Sequence, residues 1–295
     1  MDLRRRRAPR LDHRRRHEEA RLRRRRAPHR SHEGALVVLG DLLAGALEDA
    51  AARRELRPLA QVEADALARP AALDALSALA PADRVKIIAE VKRSSPSRGA
   101  LAEIPDPALL ASRYETGGAS AISVLTEGRK FGGSLQDLEQ VRDTVSIPVL
   151  RKDFIGEPYQ VLEARASGAD LVLLIVAALD QRTLVELHAL VGELGMTALV
   201  ETHSAEEVSR ALDLGAQVVG VNARNLTTFE LDRDLFGSLA DSIPSGVIRI
   251  AESAVKTADD VAHYRRSGAD VVLVGEALVT GDPVRTLTEF LGTRP

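Results

Sequence analysis

From residue 85 onward the chain alternates two hydrophobic patterns. Short apolar runs rich in β-branched residues lie at Val85–Val91, Ala121–Leu125, Val149–Lys152, Leu171–Val176, Ala198–Glu201, Val218–Asn222, Val247–Ala251 and Val271–Val274. Between them are stretches with helical spacing of apolar residues, such as Pro107–Thr116, Gln181–Leu194, Ser204–Leu214 and Thr257–Ser267. The first kind reads as buried strands, the second as helices with good N-caps or acidic first turns. Short strands alternating with such helices imply βαβ units and a parallel sheet.

An internal echo sets the number of units. Gly118-Ala119, Gly168-Ala169, Gly215-Ala216 and Gly268-Ala269 each close a helix just before a strand, at spacings of 50, 47 and 53 residues. The glycine is a natural left-handed helix stop, and each spacing is the length of two βα units. Four such repeats give eight strands. No Gly-x-Gly-x-x-Gly loop follows the first strand, so the α/β fold expected is a closed (β/α)8 TIM barrel, not an open doubly wound sheet. Residues 34–83 read as helical, with Leu39, Leu42, Leu43 and Leu47 on one face and breaks at Pro58, Pro70 and Pro81. The expected organisation is a head over residues 1–34 and one barrel domain over 35–295, with 35–84 as a helical extension packed on the barrel.

Composition narrows the chemistry. The chain has 295 residues, 45% of them hydrophobic but only 3% aromatic, so its core is aliphatic. With no cysteine, disulfides, thiol catalysis and thiolate metal sites are excluded. The longest apolar run, Leu171–Leu179, is too short to span a bilayer, and no apolar signal core follows the basic start. A soluble cytoplasmic protein is expected. The net charge of −3 hides two unlike regions. Met1–Arg30 holds 14 arginines and 4 acidic residues, which leaves −13 on the remainder. So acidic a body is a poor nucleic-acid binder. The head repeats Arg-Arg-Arg-Arg-Ala-Pro and has no aromatic residue. It is read as disordered and dispensable, the product of a start site placed too far upstream; a nucleic-acid-binding arm is the alternative. No long exposed apolar patch argues for obligate assembly, so a monomer is expected.

Charge gathers where the strands end. The first strand carries Glu90 and Lys92, the third Lys152-Asp153, the fifth Glu201, the sixth Asn222 and Arg224, the seventh Glu252-Ser253, and the eighth Gly275-Glu276. Glu90 and Lys92 are two apart and share a face of the strand. Any one of these charges alone is explained by a rim salt bridge. Their recurrence at all four odd strands marks an active site at the carboxyl ends of a barrel. Only 5 of the 40 basic residues are lysine, and lysine, unlike arginine, gives up a proton when desolvated. Lysines among glutamates allow an amine acid and a carboxylate base, each tuned by the other. His188, His203 and His263 are too far apart in sequence for a metal constellation and are read as surface or supporting residues. Ser253, the backbone around Ala254 and the Gly275 turn sit where such barrels hold a phosphate. The partner expected is a small phosphorylated molecule.

Taken together, these pieces resemble the indole-3-glycerol phosphate synthase family, over about Val37 to Leu291. The resemblance rests on Ile88-Ala89-Glu90-Val91-Lys92-Arg93-Ser94-Ser95-Pro96-Ser97, Ser123-Val124-Leu125-Thr126-Glu127, Phe131-Gly132-Gly133-Ser134 and Pro148-Val149-Leu150-Arg151-Lys152-Asp153-Phe154. Leu199-Val200-Glu201, Gly220-Val221-Asn222-Ala223-Arg224-Asn225-Leu226 and Ile250-Ala251-Glu252-Ser253 complete it. It implies a decarboxylating, dehydrating ring closure of 1-(2-carboxyphenylamino)-1-deoxyribulose 5-phosphate, with no metal and no cofactor. By that similarity Lys152 would be the general acid, Glu201 the base, and Lys92 a substrate contact and possible acid in dehydration. Glu90 would orient Lys92 or relay protons, and Glu252 would hold the lysines and substrate hydroxyls. Asn222 and Arg224 would meet the anthranilate carboxylate region, Ser95 the substrate beside the first loop, and Phe131 the aromatic ring. Ser253, Ala254, Gly275 and Glu276 fall at the phosphate, with the Glu276 side chain expected to point away. Ala254 stands where the family usually has glycine, a cost of roughly 1 kcal/mol if that residue needs a positive φ. The rivals are a Schiff-base aldolase built on Lys152, a sugar-phosphate isomerase, and a non-catalytic binding protein using the basic head.

Overall fold

A computed structural model describes residues 33–225, 228 and 230–293. The arginine-rich head through residue 32 and Leu226 of the sixth-strand motif lie outside the described residues. Eight parallel strands close a barrel: β1 (Lys86–Val91), β2 (Ala121–Leu125), β3 (Val149–Lys152), β4 (Leu171–Ile175), β5 (Thr197–Thr202), β6 (Val218–Asn222), β7 (Ile248–Glu252) and β8 (Val271–Val274). Each strand pairs with the next, and β8 returns to β1 through Lys86↔Val271 to Ala89↔Val274.

The period of two sorts every strand into an inner and an outer set. Ile88, Leu150, Leu171, Leu173, Leu199, Val218, Ile250 and Leu273 fill the interior as one buried cluster. Ile87, Ala89, Val124, Val172, Val200, Val219 and Val272 face the outer helices in another. Both rows are apolar, which is why the strands read as continuous aliphatic runs.

The outer helices are punctuated at both ends. Asp106, Ser134, Asp180 and Ser204 each accept a backbone N–H from the first turn of the helix they precede. Thr257 and Asp260 form a capping box on the helix Ala258–Arg266. At the other ends the glycines of the four Gly-Ala pairs take positive φ: Gly118 (94°), Gly168 (90°), Gly215 (76°) and Gly268 (93°). Two of the echoes extend by an aspartate. Asp170 accepts the N–H of Val149 at 2.9 Å, and Asp270 that of Arg249 at 3.0 Å.

The extension forms three helices, α1 (Glu33–Leu56), α2 (Leu59–Ala68) and α3 (Ala75–Leu79), interrupted around Pro58 and Pro70. α2 packs on the helix Pro158–Ala166 through Val62, Ala66, Tyr159 and Leu162. Arg53 of α1 adds a paired contact to Glu163, at 2.6 and 2.8 Å. The two ends of the barrel interior are covered by this extension. Leu39 and Ala46 of α1 join the inner cluster beside Phe154, and Ala75 and Leu79 of α3 join it at the opposite end. Leu79 is fully buried, so Leu79→Ala is expected to cost about 2–5 kcal/mol of stability. Urea unfolding followed by circular dichroism checks this, with little change in kcat because α3 lies at the end away from the strand termini.

Candidate active site

The inward row of each odd strand ends in an ionisable side chain, and the ring of strands puts these ends at one level. In register, Glu90 pairs with Ser123, Lys152 with Leu125, Glu201 with Ile175, and Glu252 with Asn222. All thirteen residues singled out from the sequence line one cavity of about 150 Å³: Glu90, Lys92, Ser95, Phe131, Lys152, Glu201, Asn222, Arg224, Glu252, Ser253, Ala254, Gly275 and Glu276. Asp153 also reaches its wall, but its carboxylate is engaged elsewhere. It accepts from Thr126 Oγ1 at 2.6 Å, Arg151 at 3.0 Å and the N–H of Phe154 at 2.8 Å, anchoring the loop after β3.

Two ion-paired groups occupy the floor. In the first, Lys92 Nζ lies 2.6 Å from Glu90 Oε1, and Ser123 Oγ donates to Glu90 Oε2 at 3.4 Å. Burial pushes the Glu90 carboxyl up, but Lys92 and Lys152 outweigh it and hold it below the ordinary glutamate value. In the second, Lys152 Nζ bridges Glu252 Oε2 at 3.1 Å and Glu201 Oε2 at 3.4 Å. Burial pulls the ammonium down, yet Glu252, Glu201 and Glu90 together keep it above the ordinary lysine value.

The two carboxylates around Lys152 are driven apart. Burial raises Glu201, but Lys152 and His203 overcome it and hold Glu201 well below the usual carboxylate range. Glu252 is pushed up to about 8, by burial first and by the neighbouring Glu201, against the pull of Lys152. One carboxyl is thus ionised and the other protonated at neutral pH, on either side of an ammonium. Titratable neighbours separated in this way are the hallmark of acid–base machinery.

The mouth combines a charged rim with an apolar wall. Arg98, in the turn after β1, pairs with Glu276 at 3.1 Å, so the Glu276 carboxylate is tied sideways at the rim. Asn222 Oδ1 accepts the Ser253 hydroxyl at 2.8 Å and the N–H of Arg224 at 3.0 Å, linking the loops after β6 and β7. Ser253 and Ala254 both adopt left-handed backbone, φ 71° and 58°. The positive φ considered for Ala254 is therefore present. Phe131 stacks obliquely on Phe154, with ring centroids 6.1 Å apart.

Four features escape a strand-end reading. Leu39 and Leu42 of α1 line the cavity; their helical face was legible, its resting place was not. Gly220 on β6 has no room for a side chain, since a Cβ there would fall 2.2 Å from Glu252 Oε1. Glu127 is buried with its carboxylate accepting the N–H groups of Arg129, Lys130 and Phe131, which shapes the loop that carries Phe131. His203 contacts Glu201, and its place two residues on was the available signal. Among the described residues no group of three or more His, Asp or Glu is placed to hold a metal.

The raised Glu252 carboxyl has a measurable consequence. Its folded-state value near 8 lies above the unfolded glutamate value of about 4.3, so the folded state binds the extra proton and this contribution to stability is lost as pH rises through that window. Relative to Glu252→Gln, the wild type is expected to lose stability between about pH 5 and about pH 9. Urea denaturation of both proteins at several pH values reads the difference; parallel curves would contradict the assignment.

The sequence profile described as indole-3-glycerol phosphate synthase matches residues 39–291. A protein of that name from Leifsonia xyli is 73% identical over 255 residues, covering 86% of this chain and 98% of the relative. One from Beutenbergia cavernae is 58% identical over 249 residues, covering 84% and 92%. Solved structures share the fold at low identity. A thiamine phosphate pyrophosphorylase from Pyrococcus furiosus superposes with a TM-score of 0.53 at 15% identity, over 70% of this chain and 94% of that one. Profile, relatives and the strand-end geometry agree: the chain belongs to the indole-3-glycerol phosphate synthase family.

Proposed function

We infer that Lys152 is the general acid of the reaction this enzyme catalyses, the ring closure of 1-(2-carboxyphenylamino)-1-deoxyribulose 5-phosphate to indole-3-glycerol phosphate with loss of carbon dioxide and water. The observation that carries this is the Lys152 ammonium held between the ionised Glu201 and the protonated Glu252 at the floor of the cavity. With the substrate ketone at Nζ, the ammonium hydrogen-bonds the oxygen and protonates it as the aromatic carbon bearing the carboxylate attacks. The carbon–carbon bond forms, a hydroxyl appears on the former ketone carbon, and the carboxylate leaves as carbon dioxide, its electrons returning to the ring. Loss of that hydroxyl as water follows. Lys92, paired with Glu90, supplies the proton for the departing hydroxyl. Glu201 takes the proton whose removal makes the new ring aromatic.

The wall sorts the two ends of the substrate. Phe131, Leu39 and Leu42 give an apolar face for the anthranilate ring, with Asn222 and Arg224 toward its carboxylate and Ser95 above. The left-handed turn at Ser253-Ala254 lies beside Gly275, at the ends of the paired strands β7 and β8, and tight backbone turns of this kind gather N–H groups for an anion such as phosphate. The chemistry runs without metal or cofactor on this reading, since the ammonium supplies the acid that activates the ketone and a carboxylate supplies the base. A Schiff base at Lys152 is not favoured, because it needs a neutral amine and here, against the pull of burial, the surrounding glutamates keep the ammonium charged. We also take the protein to be a cytoplasmic monomer with no nucleic-acid partner and with a dispensable head over residues 1–34. No helix among the described residues is long and apolar enough to cross a membrane.

The test is a fluorescence assay of indole-3-glycerol phosphate formation in buffer containing a chelator. Wild type is expected to be active, and Lys152→Ala to lose about 10²- to 10⁴-fold in kcat, the range for removal of a general acid. Loss of wild-type activity in chelator would remove the cofactor-free reading. Full activity in Lys152→Ala would remove the assignment of the acid.

A further inference from the structure

One ionisable group touches the charged layer from behind the cavity wall. His203 lies one residue beyond β5, and its ring is held at both ends. Nδ1 meets Glu207 Oε2 at 3.1 Å, and the same oxygen accepts the His203 backbone N–H at 2.8 Å. Glu207 belongs to the first turn of the helix Ala205–Asp213, whose N-cap Ser204 accepts the Glu207 N–H at 3.2 Å. At the other end of the ring Nε2 faces Glu201 Oε1 at 3.4 Å. That buried nitrogen makes no hydrogen bond among the described residues, so what it offers Glu201 is an approach at ion-pair distance. Glu201 Oε2, meanwhile, faces Lys152 at 3.4 Å. The carboxylate is therefore approached by a different basic group on each oxygen, one inside the cavity and one outside its lining.

A histidine serving only the fold would be expected to spend its second nitrogen on a backbone carbonyl. This one turns it toward the carboxylate taken to face the substrate, and its anchor is a carboxylate outside the cavity lining. We propose that His203, clamped by Glu207, is a positioning residue for Glu201: the imidazolium fixes the orientation of the carboxylate and keeps it ionised between turnovers. The proposal rests on the reading of Glu201 as the base. Electrostatics agree with the geometry. Burial pulls the imidazole down, but Glu201 and Glu207 overcome it and push it up to about 10. The groups facing Glu201 are Lys152 from β3, Glu252 from β7 and His203; those facing His203 are Glu201 and Glu207.

The test compares His203→Gln, which keeps a donor of similar reach without the charge, with wild type, Glu207→Gln and Glu201→Gln. In His203→Gln, KM is expected to stay within about threefold and kcat to fall about tenfold. The acid limb of the pH–kcat profile should move up by about one unit or more, because a cation lost from beside a carboxylate raises its pKa by that order. Nuclear magnetic resonance of the wild-type ring should show it still protonated above about pH 8, and titrating lower in Glu207→Gln. A folded His203→Gln with wild-type kcat and an unmoved acid limb overturns the proposal. So does a wild-type ring that is neutral above about pH 7, a readout that stands even if the variant does not fold. Glu201→Gln separates the two readings. If it keeps its activity, Glu201 is not the base and both readings fall; if it is inactive while His203→Gln behaves as wild type, only the positioning role falls.

Discussion

The structure depends on keeping Lys152 charged at the end of an apolar barrel interior. An unpaired ammonium there would be costly, so the surrounding charges are matched in number and sign. Lys92 faces Glu90, Lys152 faces Glu201 and Glu252, and His203 faces Glu201 and Glu207. With Glu252 protonated and His203 charged as proposed, three cations meet three carboxylates. The protonated Glu252 is thus what remains when a fourth carboxyl enters a layer already balanced, and burial settles which one holds the proton. By the same arithmetic, single charge deletions there are expected to act on stability as well as on rate. Removing one partner of a buried pair strands the other, at about 3–5 kcal/mol.

Charge balance requires space as well as sign. Long ionisable side chains on the odd strands converge on the barrel axis, and β2, β6 and the residue after β8 make room with small residues, whereas β4 keeps Leu173 and Ile175. A Cβ at Gly220 would fall 2.2 Å from Glu252 Oε1, and one at Gly275 would fall 2.6 Å from Glu90 Oε1 and 3.0 Å from Lys92 Nζ. Ser123 fills the corresponding place on β2 with a hydroxyl that donates to Glu90. The two glycines are therefore part of the ion pairs they border, although neither has a functional group. The outer face of β3 shows the opposite arrangement. There Arg151, fully buried, is satisfied by Thr126, Asp153 and the carbonyl of Gln160, which fixes the strand end from which Lys152 projects inward.

These two levels differ in how far the sequence reveals them. The barrel was legible because a buried parallel strand is apolar on both faces and each helix stop needs a residue tolerant of positive φ; four strands have the boundaries read from the runs alone, and the others differ by one residue at one or both ends. Glu90, Lys152, Glu201 and Glu252 were legible because a charge ending an aliphatic run has no other explanation at that frequency. Asp153 looked equivalent to them, but the turn after Lys152 directs it to Arg151. Gly220 resembled any strand glycine until the carboxylate beside it was seen. The closure of the mouth by α1 depends on where an amphipathic face docks, and its leucine spacing says only that it docks somewhere.

The turn at Ser253-Ala254 shows how such a site is held in a conformation its residues do not prefer. Left-handed backbone costs a non-glycine residue roughly 1–2 kcal/mol, and here two occur in succession. The constraint comes from the neighbours. The Ser253 hydroxyl donates to Asn222, whose same oxygen accepts from Arg224, and the Ser253 carbonyl accepts the Tyr264 hydroxyl at 3.2 Å. Tyr264 is fully buried against Phe236, so this second tether is anchored in the outer core. Strain of this kind persists where surrounding structure over-determines it, and it gathers at ligand-binding turns. Alanine at position 254 bears the Cβ penalty of that φ, with no polar side chain of its own to offset it. The departure from glycine is thus absorbed by bonds on the residue before it, and the turn keeps its shape beside Gly275.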